Sequence, residues 1–125
     1  MPAKKHSYLR THKLAGAVLQ LDASAEEAKL REQAARSKSG RAAKTLVKEG
    51  RLRVTLVALR KGTALGAHAV AGDVTIEVRR GAIEIGMDKT SVRASKGDLI
   101  ALRARVRHDA RALRDSTILI TASMR

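Results

Sequence analysis

The stretch from Gly62 to Ala112, GTALGAHAVAGDVTIEVRRGAIEIGMDKTSVRASKGDLIALRARVRHDARA, contains the pattern that decides the fold. Apolar residues alternate with polar ones over Val74–Val78 and again over Ile83–Met87, which is the period of a half-buried strand. Glycines separate the strand-like segments of the chain at intervals of roughly ten residues, at positions Gly50, Gly62, Gly72, Gly81 and Gly97. Short strands with turn signals between them predict a mainly β chain that forms a sandwich or a barrel.

Two spacings of residue types run through the same stretch. The first, G-x5-H-A-V-x3-V-x6-G, begins at Gly62, and the second, G-x5-R-A-R-x2-H-x3-A, begins at Gly97. Together they resemble the two motifs of the cupin family, and the more specific part is the Gly97-Asp98 turn that leads into an apolar strand and ends at His108. The resemblance covers residues 44–122. It implies a cupin double-stranded β-barrel (jelly roll) with the ligand site inside, and a homodimer, since cupins of this length commonly pair.

The departures from the cupin pattern concern the metal site. Metal-binding cupins supply two His and one Glu from the first motif and one His from the second. His68 and His108 match the first and the last of these ligands, whereas Val70 stands at the second His position and Val74 at the Glu position. Valine has no lone pair to donate, and catalytic sites usually keep at least three protein ligands. The resemblance therefore implies an incomplete site that holds, if anything, a weakly bound Fe, Mn, Ni or Zn ion.

Three interpretations of the two histidines stay open. They are interior imidazoles without a function, or anchors of a metal-free pocket for a polar or anionic molecule, or the protein ligands of a metal ion. We predict a small cupin-barrel protein with no resident cofactor that binds a small polar or anionic molecule. The first alternative is a metal-dependent cupin enzyme of the dioxygenase, isomerase or decarboxylase type, using His68 and His108, with no other catalytic residue that we can name. The predicted ligand-binding residues are His68, Val70, Val74, His108, Arg103 and Arg105.

Arg103 and Arg105 occupy positions where cupins usually have Pro and Gly. With Arg107 they alternate just before His108, and in an extended segment the three side chains share one face. One interpretation is a cationic rim at the barrel mouth that binds carboxylate or phosphate groups. The other is a solvated basic edge that prevents pairing between sheets.

The composition limits the classes of function. The chain has 125 residues with no Cys, no Trp, no Phe and one Tyr, so its core must be aliphatic, and disulfides and thiolate sites are excluded. The net charge is +14 and is spread along the chain. Charge alone attracts nucleic acid, which gives the second alternative, a nonspecific association. No helix-turn-helix pattern and no interleaved aromatic residues indicate base-specific recognition.

The N-terminal third differs from the rest. Residues 1–43 are predicted as an arm and a helix, and residues 44–125 as the barrel, in one compact domain. Ser24 and Glu27 have the spacing of a capping box, with Asp22 as a rival cap, before good helix formers. A thin apolar stripe predicts a helix on a surface rather than in a core. No apolar run approaches the ~20 residues of a transmembrane helix, and we expect a cytoplasmic protein.

Overall fold

The computed structural model describes residues 5–6 and 16–124, with only the backbone at residues 5, 6, 67 and 68. The predicted arm over residues 1–13 lies outside the described residues except for the backbone of Lys5 and His6. The described residues form one helix and eleven strands. The elements are β1 (Lys5–His6), β2 (Gln20–Leu21), α1 (Ala23–Arg36), β3 (Arg41–Glu49), β4 (Leu52–Leu59), β5 (Ala64–His68), β6 (Asp73–Arg80), β7 (Ala82–Gly86), β8 (Ser91–Ser95), β9 (Leu99–Leu102), β10 (His108–Ala112) and β11 (Ser116–Ser123).

Nine of these strands form two antiparallel sheets that face each other. The larger has the order β3-β4-β11-β6-β9 and the smaller the order β5-β10-β7-β8, while β1 and β2 form a short parallel pair. The predicted mainly β fold with one N-terminal helix is therefore confirmed. Among the described residues, no helix has the length and apolar character needed to cross a membrane.

The core between the sheets is built from alternate residues of each strand. In β6, Val74, Ile76 and Val78 are all buried, and β7 contributes Ile83 and Ile85, which are fully enclosed. The intervening residues of these strands point out of the core because successive side chains of a strand lie on opposite faces. As the composition predicts, every buried residue of this core is aliphatic.

Helix α1 begins at Ala23 with Asp22 as its N-cap, and Ser24 of the predicted capping box lies inside the helix. The Asp22 carboxylate accepts a hydrogen bond from the Ala25 amide at 3.1 Å. The capping box of Ser24 and Glu27 is wrong for a tertiary reason, because the Glu27 carboxylate pairs with Arg79 on β6 instead. Asp22 satisfies one of the amides that the first turn of a helix leaves without a partner.

The helix covers the outer face of the larger sheet. Its narrow apolar stripe, Leu30 and Ala34, is buried against Leu46, Leu56 and Ala58, which form a second core separate from the one between the sheets. The predicted surface position is therefore correct for most of the helix, since its other residues remain partly or fully exposed apart from one buried glutamate, Glu26.

That glutamate forms a buried ion pair under the helix. Its Oε2 atom accepts a hydrogen bond from Lys44 Nζ at 2.7 Å, and the two side chains are 0% and 4% exposed. The other oxygen, Oε1, is buried without a hydrogen-bond partner. Burial of two charges costs free energy that their attraction recovers only when the remaining polar atoms are also satisfied, and Glu26 Oε1 is not.

Candidate ligand-binding site

The alternating strand directions place one set of loops at each end of the sandwich. Asp73, the first residue of β6, pairs with Ser123, the last of β11, and Val74 pairs with Leu102, the last of β9. The β5–β6, β7–β8 and β9–β10 loops therefore lie at the same end, which we call the mouth. The remaining long loops, including β4–β5 and β10–β11, lie at the opposite end, because Leu59 pairs with Ser116 there.

His108 is the first residue of β10 and lies at the mouth. The residue is 5% exposed, and its Nδ1 lies 3.0 Å from the carbonyl oxygen of Val106. A carbonyl oxygen can only accept, so Nδ1 must carry a hydrogen, and in the neutral ring Nε2 is the acceptor. The short link to Val106 thus fixes both the orientation of the ring and its tautomer.

Across the sheet, His68 is the Cα partner of His108 in the pairing of β5 with β10. The pairing of these strands thus places the backbones of the two predicted site histidines side by side. The His68 side chain lies outside the described part of the chain, so its predicted role stays a prediction.

The two valines at the missing ligand positions pack into the barrel. Val74 is 3% exposed within the core between the sheets, and Val70 is half-buried against that core. Both side chains therefore contribute packing to the core of the barrel.

The loop from Arg103 to Arg107 is not extended, so the prediction that its three arginines share one face is wrong. The segment forms a turn in which Val106 N donates to the Arg103 carbonyl, and Arg105 has a φ of 66°. The loop is held at the mouth by two further bonds, from Ala104 N to the Asp73 carboxylate at 2.9 Å and from Arg105 N to the Val70 carbonyl at 2.7 Å. All three arginines are exposed.

The turn divides the arginines between two concavities. Arg103 and Arg105 line an open depression of about 630 Å³ on the side of β9, together with Asp73. Arg107 lines a second cavity of about 330 Å³, together with His108. The two concavities share no lining residue, so the structure separates two predicted site residues, Arg103 and Arg105, from His108.

Sequence reasoning missed the rest of the cavity at His108. Its other walls are formed by Gly86, Met87, Asp88 and Asp109. Asp109 is held against β7, where its Oδ1 accepts a hydrogen bond from Gly86 N at 3.1 Å. The usable signal was the alternation that places Met87 one step beyond Ile85, directly before the Asp88-Lys89 turn. That turn lies beside the β9–β10 loop only in the folded chain.

The described side chains at the mouth, which do not include that of His68, form no metal centre. Among the side chains that the structure describes, no three His, Asp or Glu residues lie close enough to hold one ion. His108 offers a single imidazole, and Val70 and Val74 offer none of the ligand atoms that divalent metals bind. We therefore derive no chemistry that depends on a metal.

Solved structures show what the chain resembles, whereas no protein-family model and no curated protein matches it. A conserved protein of unknown function from Streptococcus pyogenes superposes with a TM-score of 0.66 at 26% identity, over 71% of this chain and 78% of that chain. A cupin superfamily protein from Desulfitobacterium hafniense also gives a TM-score of 0.66, at 15% identity, over 68% of this chain and 78% of that one.

An enzyme is among the structural neighbours as well. Salicylate 1,2-dioxygenase from Pseudaminobacter salicylatoxidans superposes with a TM-score of 0.68 at 17% identity, over 77% of this chain but only 32% of its own. These likenesses establish the cupin fold and confirm the resemblance that the two spacings predicted. The neighbours include both an enzyme and a protein of unknown function, so the fold alone does not assign a role.

Proposed function

We propose that this chain, a small protein of the cupin fold, binds a small anionic molecule that also carries a hydroxyl or an amino group, in the cavity lined by His108 and Arg107. The observation that carries the proposal is the buried His108 ring, which lines a cavity of about 330 Å³ in a single orientation. Pockets for small ligands begin at roughly 300 Å³ and combine apolar walls with a few placed polar groups.

The polar groups of the cavity define the chemistry of the ligand. In the tautomer that the contact with the Val106 carbonyl selects, Nε2 of His108 is the acceptor nitrogen, which complements a hydroxyl or an amino hydrogen of the ligand. Arg107 presents a guanidinium group, which binds a carboxylate or a phosphate through two parallel hydrogen bonds. Asp88 adds a carboxylate, which disfavours a ligand that is anionic throughout and favours a hydrogen-bond donor. An amino acid supplies a carboxylate for Arg107 and donors for both His108 and Asp88, whereas a hydroxy acid supplies the carboxylate and one donor.

Arg103 and Arg105 contribute from outside the cavity. Both are exposed at the same end of the barrel, and their depression contains one carboxylate, Asp73, which is already bonded to Ala104 N. Positive potential around the mouth raises the local concentration of an anion and speeds its association. We therefore assign the two arginines to attraction of the ligand and not to direct contact at His108.

Calorimetric titration with matched pairs of acids tests the proposal. Each pair consists of a 2-hydroxy acid and the same acid without its hydroxyl, for example lactate and propionate. We expect Arg107→Gln to weaken both acids about tenfold or more, because a hydrogen bond to a charged group contributes roughly 1.5–3 kcal/mol. His108→Leu should remove most of the preference for the hydroxy acid, because the leucine side chain has no hydrogen-bond acceptor.

The control is Arg51→Gln, which removes an exposed arginine near the mouth that lines neither concavity. It should leave both affinities within about twofold, since surface charges away from a site contribute little. Binding of neither acid, or equal losses in Arg107→Gln and Arg51→Gln, contradicts the proposal. Binding that disappears with a chelator and returns with Fe, Mn, Ni or Zn would instead support the alternative that the site binds a metal ion.

A further inference from the structure

The end of the sandwich opposite the mouth is strongly basic. It is formed by the end of β6 and the β4–β5, β8–β9 and β10–β11 loops. Its cationic residues are Arg60, Lys61, Arg80, Lys96 and Arg114, against the two acidic residues Asp98 and Asp115. We call this surface the basic end. The strand pairing brings these five cations to the same end of the sandwich from four separate segments of the sequence.

Three of these cations surround one open depression. Lys61, Arg80 and Arg114 are exposed and line a concavity of about 430 Å³, together with Gly81 and Asp115. None of the three side chains makes an ion pair or a hydrogen bond with another described residue. Other arginines on the sheets, such as Arg79 and Arg93, are paired with glutamates. These three residues therefore keep their donors available for an external anion, whereas Arg60 donates one hydrogen bond to the Ser37 carbonyl.

The cationic surface continues past the depression. Arg80 and Asp115 also line a narrow cleft of about 80 Å³, which reaches Arg60 and, on the helix, Arg31. Both added arginines are exposed. Five cationic side chains therefore follow one another across two adjoining concavities, which is a larger array than a single small anion can contact.

The backbone beneath the array is fixed. The Asp115 carboxylate accepts a hydrogen bond from Lys61 N at 2.8 Å, which ties the β4–β5 loop to the β10–β11 loop. Leu113 N donates to the Ala82 carbonyl at 2.8 Å, and the buried Ser116 hydroxyl bonds to the same carbonyl at 3.0 Å. A fixed backbone places the cations before a ligand arrives, so less ordering is lost on binding.

We propose that the basic end binds the phosphate backbone of nucleic acid, independently of the ligand site at the mouth. Repeated phosphates match a row of exposed guanidinium and ammonium groups. A membrane surface fits less well, because the cations line concavities that a flat bilayer does not enter. The chain has no Phe or Trp to stack on bases, so the contacts are with phosphates and do not depend on base sequence.

Fluorescence anisotropy with a labelled 20-base-pair duplex at 50 to 200 mM salt tests this inference. The variant Lys61→Gln/Arg80→Gln/Arg114→Gln is compared with Lys48→Gln/Arg51→Gln/Lys89→Gln, which removes the same charge from exposed positions toward the mouth. Each phosphate contact contributes about 0.9 to the slope of log affinity against log salt. We expect the first variant to reduce the slope by about 2.7 and the control to reduce it by less than 1.

Three outcomes overturn the inference: no binding by the unaltered protein at 50 mM salt, equal losses in the two triple variants, or stronger dependence on the three residues for anionic phospholipid vesicles than for the duplex. Equal losses would mean that the total charge and not the basic end attracts DNA. If the triple variant does not fold, the exposed single changes Lys61→Gln and Arg114→Gln replace it, each with an expected slope reduction of about 0.9. Lys61, Arg80 and Arg114 line no part of the cavity at His108, so ligand binding at the mouth stays intact in the variants of these three residues and the two proposals fail separately.

Discussion

Replacement of Lys44 by methionine should destabilise the protein by about 3–5 kcal/mol, because it leaves the Glu26 carboxylate buried without a counter-ion. The Glu26 side chain is 0% exposed, and Lys44 Nζ at 2.7 Å is the hydrogen-bond donor to its Oε2. Removal of both charges, in Glu26→Met/Lys44→Met, should not lower the free energy of unfolding. Since Glu26 Oε1 lacks a partner even in the intact pair, the double change should be neutral or stabilising by up to about 4 kcal/mol.

Urea unfolding followed by far-ultraviolet circular dichroism measures these free energies, since the chain has no Trp for fluorescence. Arg36→Met is the matched control: it breaks an exposed pair with Glu32, in which both side chains are about 70% exposed, and should cost no more than about 0.5 kcal/mol. A Lys44→Met loss as small as that of Arg36→Met would refute the reasoning. It would mean that water reaches Glu26 and that the helix does not close on the sheet.

Two further changes test the packing. Gly81→Ala should lower the free energy of unfolding by about 2 kcal/mol more than Gly97→Ala does. Both glycines have a positive φ, but an added Cβ at Gly81 lies 2.3 Å from the Asp115 carbonyl oxygen, whereas nothing lies within 4 Å at Gly97. Equal urea midpoints for the two variants would contradict this prediction. Thr117→Val should leave the free energy of unfolding unchanged or raise it by up to about 1 kcal/mol, because the buried Thr117 hydroxyl has no partner to lose. A loss above 1 kcal/mol by the same measurement would reveal an unseen hydrogen bond.

The strands with branched aliphatic residues were predictable, because the alternation of apolar and polar residues along a strand can be seen in the local sequence. β6 and β7 carry Val or Ile at every buried position, and the alternation alone places them. β10 carries His108, Ala110 and Ala112 at its buried positions, and β5 contains Gly66, so neither segment shows a strong period of apolar residues. These two segments are strands because neighbouring strands form hydrogen bonds with them, and a local sequence pattern does not predict which strands will pair.

The β9–β10 loop shows a signal that was present and was misread. The cupin pattern has Gly at the position of Arg105, and Arg105 has the positive φ that Gly adopts without strain. The alternation of arginines holds only for an extended backbone, so it failed where the chain turns. An L-residue in this conformation costs about 1–2 kcal/mol, which the bonds from Ala104 N and Arg105 N to Asp73 and Val70 offset.

The candidate site was predictable only in part for a similar reason. His108 at the end of the second motif is a local feature, and the structure places it at the mouth as a wall of a cavity. Met87 and Asp88 join it from a different hairpin, and Glu27 leaves its predicted cap for Arg79, 52 residues away. Each of these contacts depends on tertiary packing between distant segments, and neither segment's sequence indicates which other segment it will contact.

The strand β6 runs from Asp73 beside the mouth to Arg80 in the basic end, so it spans about 24 Å at the usual rise of a strand. Substitutions separated by more than about 10 Å, without shared partners, have additive effects on free energy. The barrel therefore separates the mouth and the basic end far enough that substitutions at one should not change the free energy of binding at the other. Changes at Arg107 and at Arg114 can be combined in one molecule, and any departure from additivity would itself measure communication along the strands.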